Sequence, residues 1–154
     1  MNYAIPIAVL LLTIAAFFAL ARGRYQDFGS FQIVLRVLAA LPLLISGIFL
    51  HFFRAHLVAS IIPPVFPARV FLAIVTGIFE MAGAIGLFLP RYRRASAVCI
   101  ALMMVAIIPA NIYAAGQIVG GVRFPSIPVR TAMQAIYIVI VLLTGFGLPK
   151  PSTR

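Results

Sequence analysis

The chain has 154 residues, of which 64% are hydrophobic and 9% charged, with a mean hydropathy of +1.18. A soluble domain carries about a quarter charged residues, so this balance excludes an ordinary soluble fold and fits one compact integral membrane bundle. The formal net charge is +10, but the basic residues sit between or at the ends of apolar runs, a pattern of topology signals and lipid-headgroup contacts rather than of nucleic-acid binding.

Apolar runs occupy residues 3–21, 31–53, 68–89, 95–115 and 130–148. Each approaches or exceeds the ~20 residues that a spanning helix needs. None alternates strictly, so they predict helices rather than barrel strands. The expected fold is all-α and integral to the membrane: a four-helix transmembrane bundle plus an extra N-terminal transmembrane helix. The divisions are an N-terminal anchor and connection over 1–30, a four-helix membrane domain over 31–148 and a short tail over 149–154.

The first run ends in Ala19-Leu20-Ala21, which looks like a cleavage site, but no Lys or Arg precedes its apolar core. Arg22 and Arg24 follow it instead, the flank pattern of an anchor that is retained with its N-terminus outside. The second run contains Arg36 near its start, then Pro42, which predicts a kink, and Ser46-Gly47 just beyond it; His51 closes it. The connection after it holds His56, Pro63, Pro64 and Pro67, and its prolines forbid a regular helix there. The third run contains Glu80 and stops at Pro90-Arg91-Tyr92-Arg93-Arg94. The fourth has Pro109 and Asn111 near its end, Gly120-Gly121 reads as a turn, and the fifth carries Gln134 near its start.

Arg22, Arg24, Arg91, Arg93, Arg94, Lys150 and Arg154 fall on one side of this arrangement, and Arg54, Arg69, Arg123 and Arg130 on the other. The richer side is cytoplasmic by the positive-inside rule. The N-terminus is then outside and the C-terminus inside.

The chain has two acids, Asp27 and Glu80. A carboxyl at mid-membrane depth is costly, so Glu80 is expected to be protonated, paired or functional. At ~1.5 Å per residue it lies ~13 Å from the inner end of its run, and Arg36 ~8 Å in from the same side. A long arginine side chain closes that difference, so an Arg36–Glu80 ion pair is one expectation. The other is an Arg36 that snorkels to the headgroups, with a protonated Glu80 bonded to Thr76 or a backbone carbonyl. The small residues around Glu80, among them Gly77, Gly83 and Gly86, read as close helix packing.

A second polar set, His51, Arg54, His56, Asn111, Tyr113, Gln117 and Gln134, falls near the outer helix ends. It suits a quinone headgroup, a lipid-like ligand or a proton path. The candidate ligand-binding residues are therefore Glu80, Arg36, His51, Thr76, Asn111 and Gln134. No metal site is expected, because the histidines lack a third ligand. Lone Cys99 permits no internal disulfide. Two acids supply no nucleophile–base–acid set, and the sequence identifies no reaction.

Several motifs resemble the DoxX-like family of small bacterial inner-membrane proteins. They are Gly47 and His51, the Pro63-Pro64 loop, Thr76-Gly77-x-x-Glu80, Gly86-Leu87-Phe88-Leu89-Pro90-Arg91-x-Arg93-Arg94, Pro109-Ala110-Asn111-Ile112-Tyr113, and Pro128-x-Arg130 ahead of Gln134. The likeness runs in order over about residues 33–145, and the first run lies outside it. The resemblance implies a four-helix membrane bundle in the bacterial cytoplasmic membrane. It further implies links to quinone-coupled sulfur oxidation and to membrane complexes that handle oxidative stress and thiols, with membrane or periplasmic redox partners. An accessory quinone- or lipid-binding subunit is the leading expectation; a non-enzymatic assembly or scaffold protein and a small-molecule carrier are the alternatives.

Overall fold

The computed structural model describes residues 28–146. The first run, the Arg22–Asp27 connection and the tail with Lys150 and Arg154 lie outside the described residues. The described chain is mainly helical: α1 Phe28–Ile45, a π-helical segment Ser46–Phe52, α2 Ala55–Ser60, α3 Arg69–Phe88, α4 Arg93–Ala106, α5 Ile108–Ala114 and α6 Ile127–Phe146. By length and composition, Phe31–Phe52, Arg69–Phe88 and Ile127–Phe146 are long and apolar enough to cross a membrane, and α4 and α5 qualify together across a 42° bend.

Prolines set the breaks. Pro42 removes one backbone donor and crowds the preceding turn. The disturbance takes the form of a π-helical segment that begins four residues later, a local adjustment that re-satisfies freed backbone groups. Pro109 lies at the start of α5, just past the bend. The connection expected to hold no regular helix forms α2 ahead of its prolines; only the proline-containing part after α2 has no regular structure, ending at Ala68, whose φ of 50° is left-handed. Gly120 and Gly121, at φ 58° and 81°, close a hairpin in which Ile118 pairs with Arg123 and Val119 with Val122. Both positive φ values suit a primed turn, and this ribbon is the one β-element among the described residues, in a stretch expected to be loop.

α1 packs on α3 and α6, and α4 also packs on α3 and α6, which closes a ring of four. Neighbours run antiparallel. A Cβ on Gly47 would meet Met81, one on Gly83 would meet Ile100, one on Gly86 would meet Ser96, and one on Gly145 would meet Ala97. The bundle therefore has an arginine end, with the Pro90–Arg94 turn, and a hairpin end. Its centre is small-residue-rich and includes Ala39, Ala40, Ala84 and Ala97, with Leu43, Leu87, Ile100 and Val141. Its exterior carries large apolar side chains: Phe71, Phe79, Leu102 and Ile136 are each at least 60% exposed.

Close approach of α4 and α6 is set at Ala97 and Gly145, where an added Cβ would lie 2.4 Å from that of Ala97. Gly145→Ala should cost about 1–3 kcal/mol, as overpacking does. Ala97→Gly in the same chain should return most of it. Unfolding of the purified protein in detergent checks this, and an unchanged midpoint for the single variant would contradict the crossing.

Candidate functional site

The site begins with the crossing of the π segment and α3. Gly47 and Gly77 meet there, and a Cβ on Gly77 would lie 2.3 Å from the Cβ of His51. The missing side chains let the two backbones approach and seat His51 against α3. In an α-helix, residues five apart diverge by roughly 140°. The i→i+5 bonding of a π-helix stacks them instead. Ser46 and His51 therefore share a face, and both turn toward the Glu80 carboxyl.

His51 and Glu80 are 8% and 7% exposed. The imidazole Nδ1 lies 2.5 Å from the Ala73 carbonyl oxygen and 3.1 Å from Thr76 Oγ1. A carbonyl oxygen only accepts, so Nδ1 carries the hydrogen. The Thr76 hydroxyl in turn faces the Leu72 and Ala73 carbonyls at 3.0 and 2.8 Å, so its oxygen remains free to accept. With Nδ1–H fixed, His51 Nε2 faces Glu80 Oε2 at 3.6 Å, within ion-pair range but longer than a hydrogen bond. A bare imidazole lone pair opposite a bare carboxylate would repel. At least one proton between them relieves that repulsion; at 3.6 Å no hydrogen bond joins the two groups, and Glu80 Oε2 has no hydrogen-bond partner.

Arg36 takes no part. The His51–Glu80 contact is the ion pair among the described residues. The guanidinium of Arg36 lies within electrostatic reach of Arg93 at the arginine end, and its buried Nε has no hydrogen-bond partner. Register explains this: Gly47 lies opposite Gly77 and Met81, and Arg36 is eleven residues earlier, roughly 16 Å along the axis. The expected Arg36–Glu80 pair is thus corrected to His51–Glu80.

The polar residues expected to share one mouth separate into groups. His56 is exposed on α2 and lines a cavity of 650 Å³ with Arg69. Gln117 donates to the Tyr113 carbonyl. Asn111 and Gln134 form their own chain: Arg130 Nη2 donates to Asn111 Oδ1, Asn111 Nδ2 to Gln134 Oε1 at 3.0 Å, and Gln134 Nε2 to the Met104 carbonyl, just before the bend. One turn on, the Tyr137 hydroxyl donates to the Ala39 carbonyl, just before Pro42. Arg130 stacks over Phe124 at 4.7 Å. Sequence reading missed Arg130 and Tyr137 as site residues. The spacing of Arg130, Gln134 and Tyr137, which puts them on one helix face, was the available signal.

This chain forms the polar wall of a 580 Å³ cavity at the hairpin end, lined also by Leu50, Met104, Arg123, Phe124 and Met133. The lining includes Leu50, the residue before His51, and Tyr137, which is within electrostatic reach of Glu80. A 780 Å³ groove between α3 and α4 is almost wholly apolar and includes the exposed Cys99. Among the described residues no three metal-ligating side chains come together.

The family described as “Domain of unknown function (DUF8561)” matches residues 38–144, more than half of the chain. The protein belongs to that family. The matched stretch contains both the His51–Glu80 pair and the cavity wall. No curated protein and no solved structure matches the chain.

Coupling energies separate the pairings. Variants His51→Gln and Glu80→Gln should be non-additive by about 1 kcal/mol or more, while Arg36→Met and Glu80→Gln should add within about 0.5 kcal/mol. Stability of the single and double variants in detergent measures both cycles.

Proposed function

We propose that this is a multi-pass protein of the bacterial cytoplasmic membrane, with a transmembrane four-helix bundle, an additional N-terminal transmembrane helix, the N-terminus outside and the C-terminus in the cytoplasm. Large apolar side chains on the exterior and small ones at the centre support this reading, since hydrocarbon replaces water as the outer solvent. The arginine end is the cytoplasmic one. After substitution of Cys99 by Ser, a cysteine at Ser126 should react with a membrane-impermeant maleimide added to intact cells or spheroplasts, and one at Arg94 should react only after lysis. The reverse pattern would invert the topology.

We infer that the bundle binds a lipid-soluble molecule in the cavity at the hairpin end, as an accessory subunit of a membrane redox or oxidative-stress system. The observation that carries this is an otherwise apolar cavity with one organised polar wall, Arg130–Asn111–Gln134 with Tyr137. Ligand sites have that composition, and 580 Å³ lies within their usual range. A quinone fits in chemical kind, because its carbonyls accept what the wall donates. The resemblance to DoxX-like proteins points the same way, and the partners this reading expects are the lipid bilayer and membrane or periplasmic redox proteins. The His51–Glu80 pair supplies an exchangeable proton close to the cavity.

A second reading, a non-enzymatic scaffold, is favoured by the tight Gly47–Gly77 crossing around that pair. Binding separates the two. Purified protein should bind decylubiquinone, and Gln134→Leu should weaken it about tenfold, the worth of a hydrogen bond made in a dry site. Absence of decylubiquinone binding by wild-type protein would remove the quinone as ligand, and absence of binding by any lipid-soluble probe would leave the scaffold reading.

A further inference from the structure

We propose that the cavity at the hairpin end selects an amphiphile with an anionic head, a carboxylate or phosphate, and an apolar tail. The inference rests on the reading that this cavity takes a lipid-soluble molecule, and it specifies the head.

The hydrogen-bond direction along the wall is the first observation. Arg130 donates to Asn111, Asn111 to Gln134, and Gln134 to a backbone carbonyl. Each side-chain amide oxygen in the chain already accepts a bond. An amide oxygen has two lone pairs, so one acceptor site remains on each, against the second hydrogen of each amide and the rest of the guanidinium; donors outnumber acceptors. A molecule that must donate finds few partners here. One that only accepts finds several.

Charge is the second. Arg123 and Arg130 both line the cavity. The chain's acids are Asp27 and Glu80, and Glu80 is engaged with His51. Neither arginine has a carboxylate partner within ion-pair distance among the described residues, and Arg130 Nε is buried without a hydrogen-bond partner. Arg130 is meanwhile held in place by Asn111 on one side and by the Phe124 ring on the other. A guanidinium fixed in position and lacking a counter-ion is suited to bidentate recognition of carboxylate or phosphate. Leu50, Met104 and Met133 supply the apolar part of the lining, against which a tail can lie.

The test uses full-length protein in nanodiscs of zwitterionic lipid and four probes: decyl phosphate, decanol, decylubiquinone and inorganic phosphate. Decyl phosphate should bind at least about tenfold more tightly than decanol or decylubiquinone, which have the same tail. Arg130→Gln should abolish most of that preference. Arg123→Gln, at an exposed position outside the hydrogen-bonded chain, should reduce it without disturbing the fold. Equal binding of the three decyl compounds would overturn the anionic head and leave the ligand-binding reading standing. Inorganic phosphate binding as tightly as decyl phosphate would overturn the amphiphile and make a free anion the ligand. Binding by none of the four would overturn both the inference and the reading on which it rests.

Discussion

The buried contact between His51 and Glu80 is the constraint on which the centre of the bundle depends. Two polar side chains are buried where the π segment and α3 cross. A buried pair of this kind contributes little net stability, yet loss of one partner leaves an uncompensated group and costs several kcal/mol. The surrounding residues make the pair tolerable. Ala73 accepts the Nδ1 hydrogen and fixes the tautomer, the absence of a side chain at Gly77 leaves room for the ring, and the π segment brings Ser46 onto the same face. Helix register follows from this crossing, and register decides that Arg36 lies beside Arg93 rather than Glu80.

The same economy recurs at the prolines. Pro42 and Pro109 each disturb the backbone of a helix, and α6 answers both. Gln134 caps the Met104 carbonyl ahead of one break, and Tyr137 caps the Ala39 carbonyl ahead of the other. The carbonyls that lose their α-helical donors are those of Leu38 and Val105, four residues before each proline; Gln134 and Tyr137 bond to the carbonyls next to these, in the same turn. The polar wall of the cavity is thus partly a structural device: its side-chain hydrogen bonds help to hold the bundle together. The donors left over are a consequence of that arrangement, and they give the cavity its chemical preference.

The helical segments were legible from hydropathy, because long apolar runs and proline punctuation are local signals. The 31–53, 68–89 and 130–148 runs correspond to helices that differ from them by a few residues at the ends, and the 95–115 run to the bent pair α4–α5. That Glu80 would be buried was also legible, from its place in the middle of an apolar run. Its partnership with His51 was not. It depends on a π-helical segment that shifts residues five apart onto one face, and no propensity marks such a segment beyond the nearby Pro42. An estimate of depth from run ends also could not give register, since the Gly47–Gly77 contact, rather than the length of each run, sets how far the helices slide. The short hairpin escaped notice because four residues of strand carry no periodicity, although Gly120-Gly121 marked its turn.

The two polar systems stand close without merging. Leu50 lines the cavity while its neighbour His51 faces Glu80, and Tyr137 lines the cavity while feeling the charge of Glu80. A ligand that reoriented Tyr137 would free the Ala39 carbonyl and change the electrostatic surroundings of the pair. Conversely, transfer of a proton between imidazole and carboxyl creates or removes a local dipole, with no change in the net charge of the pair. Tyr137 belongs to α6 and its acceptor Ala39 to α1, whereas His51 and Glu80 belong to the π segment and α3.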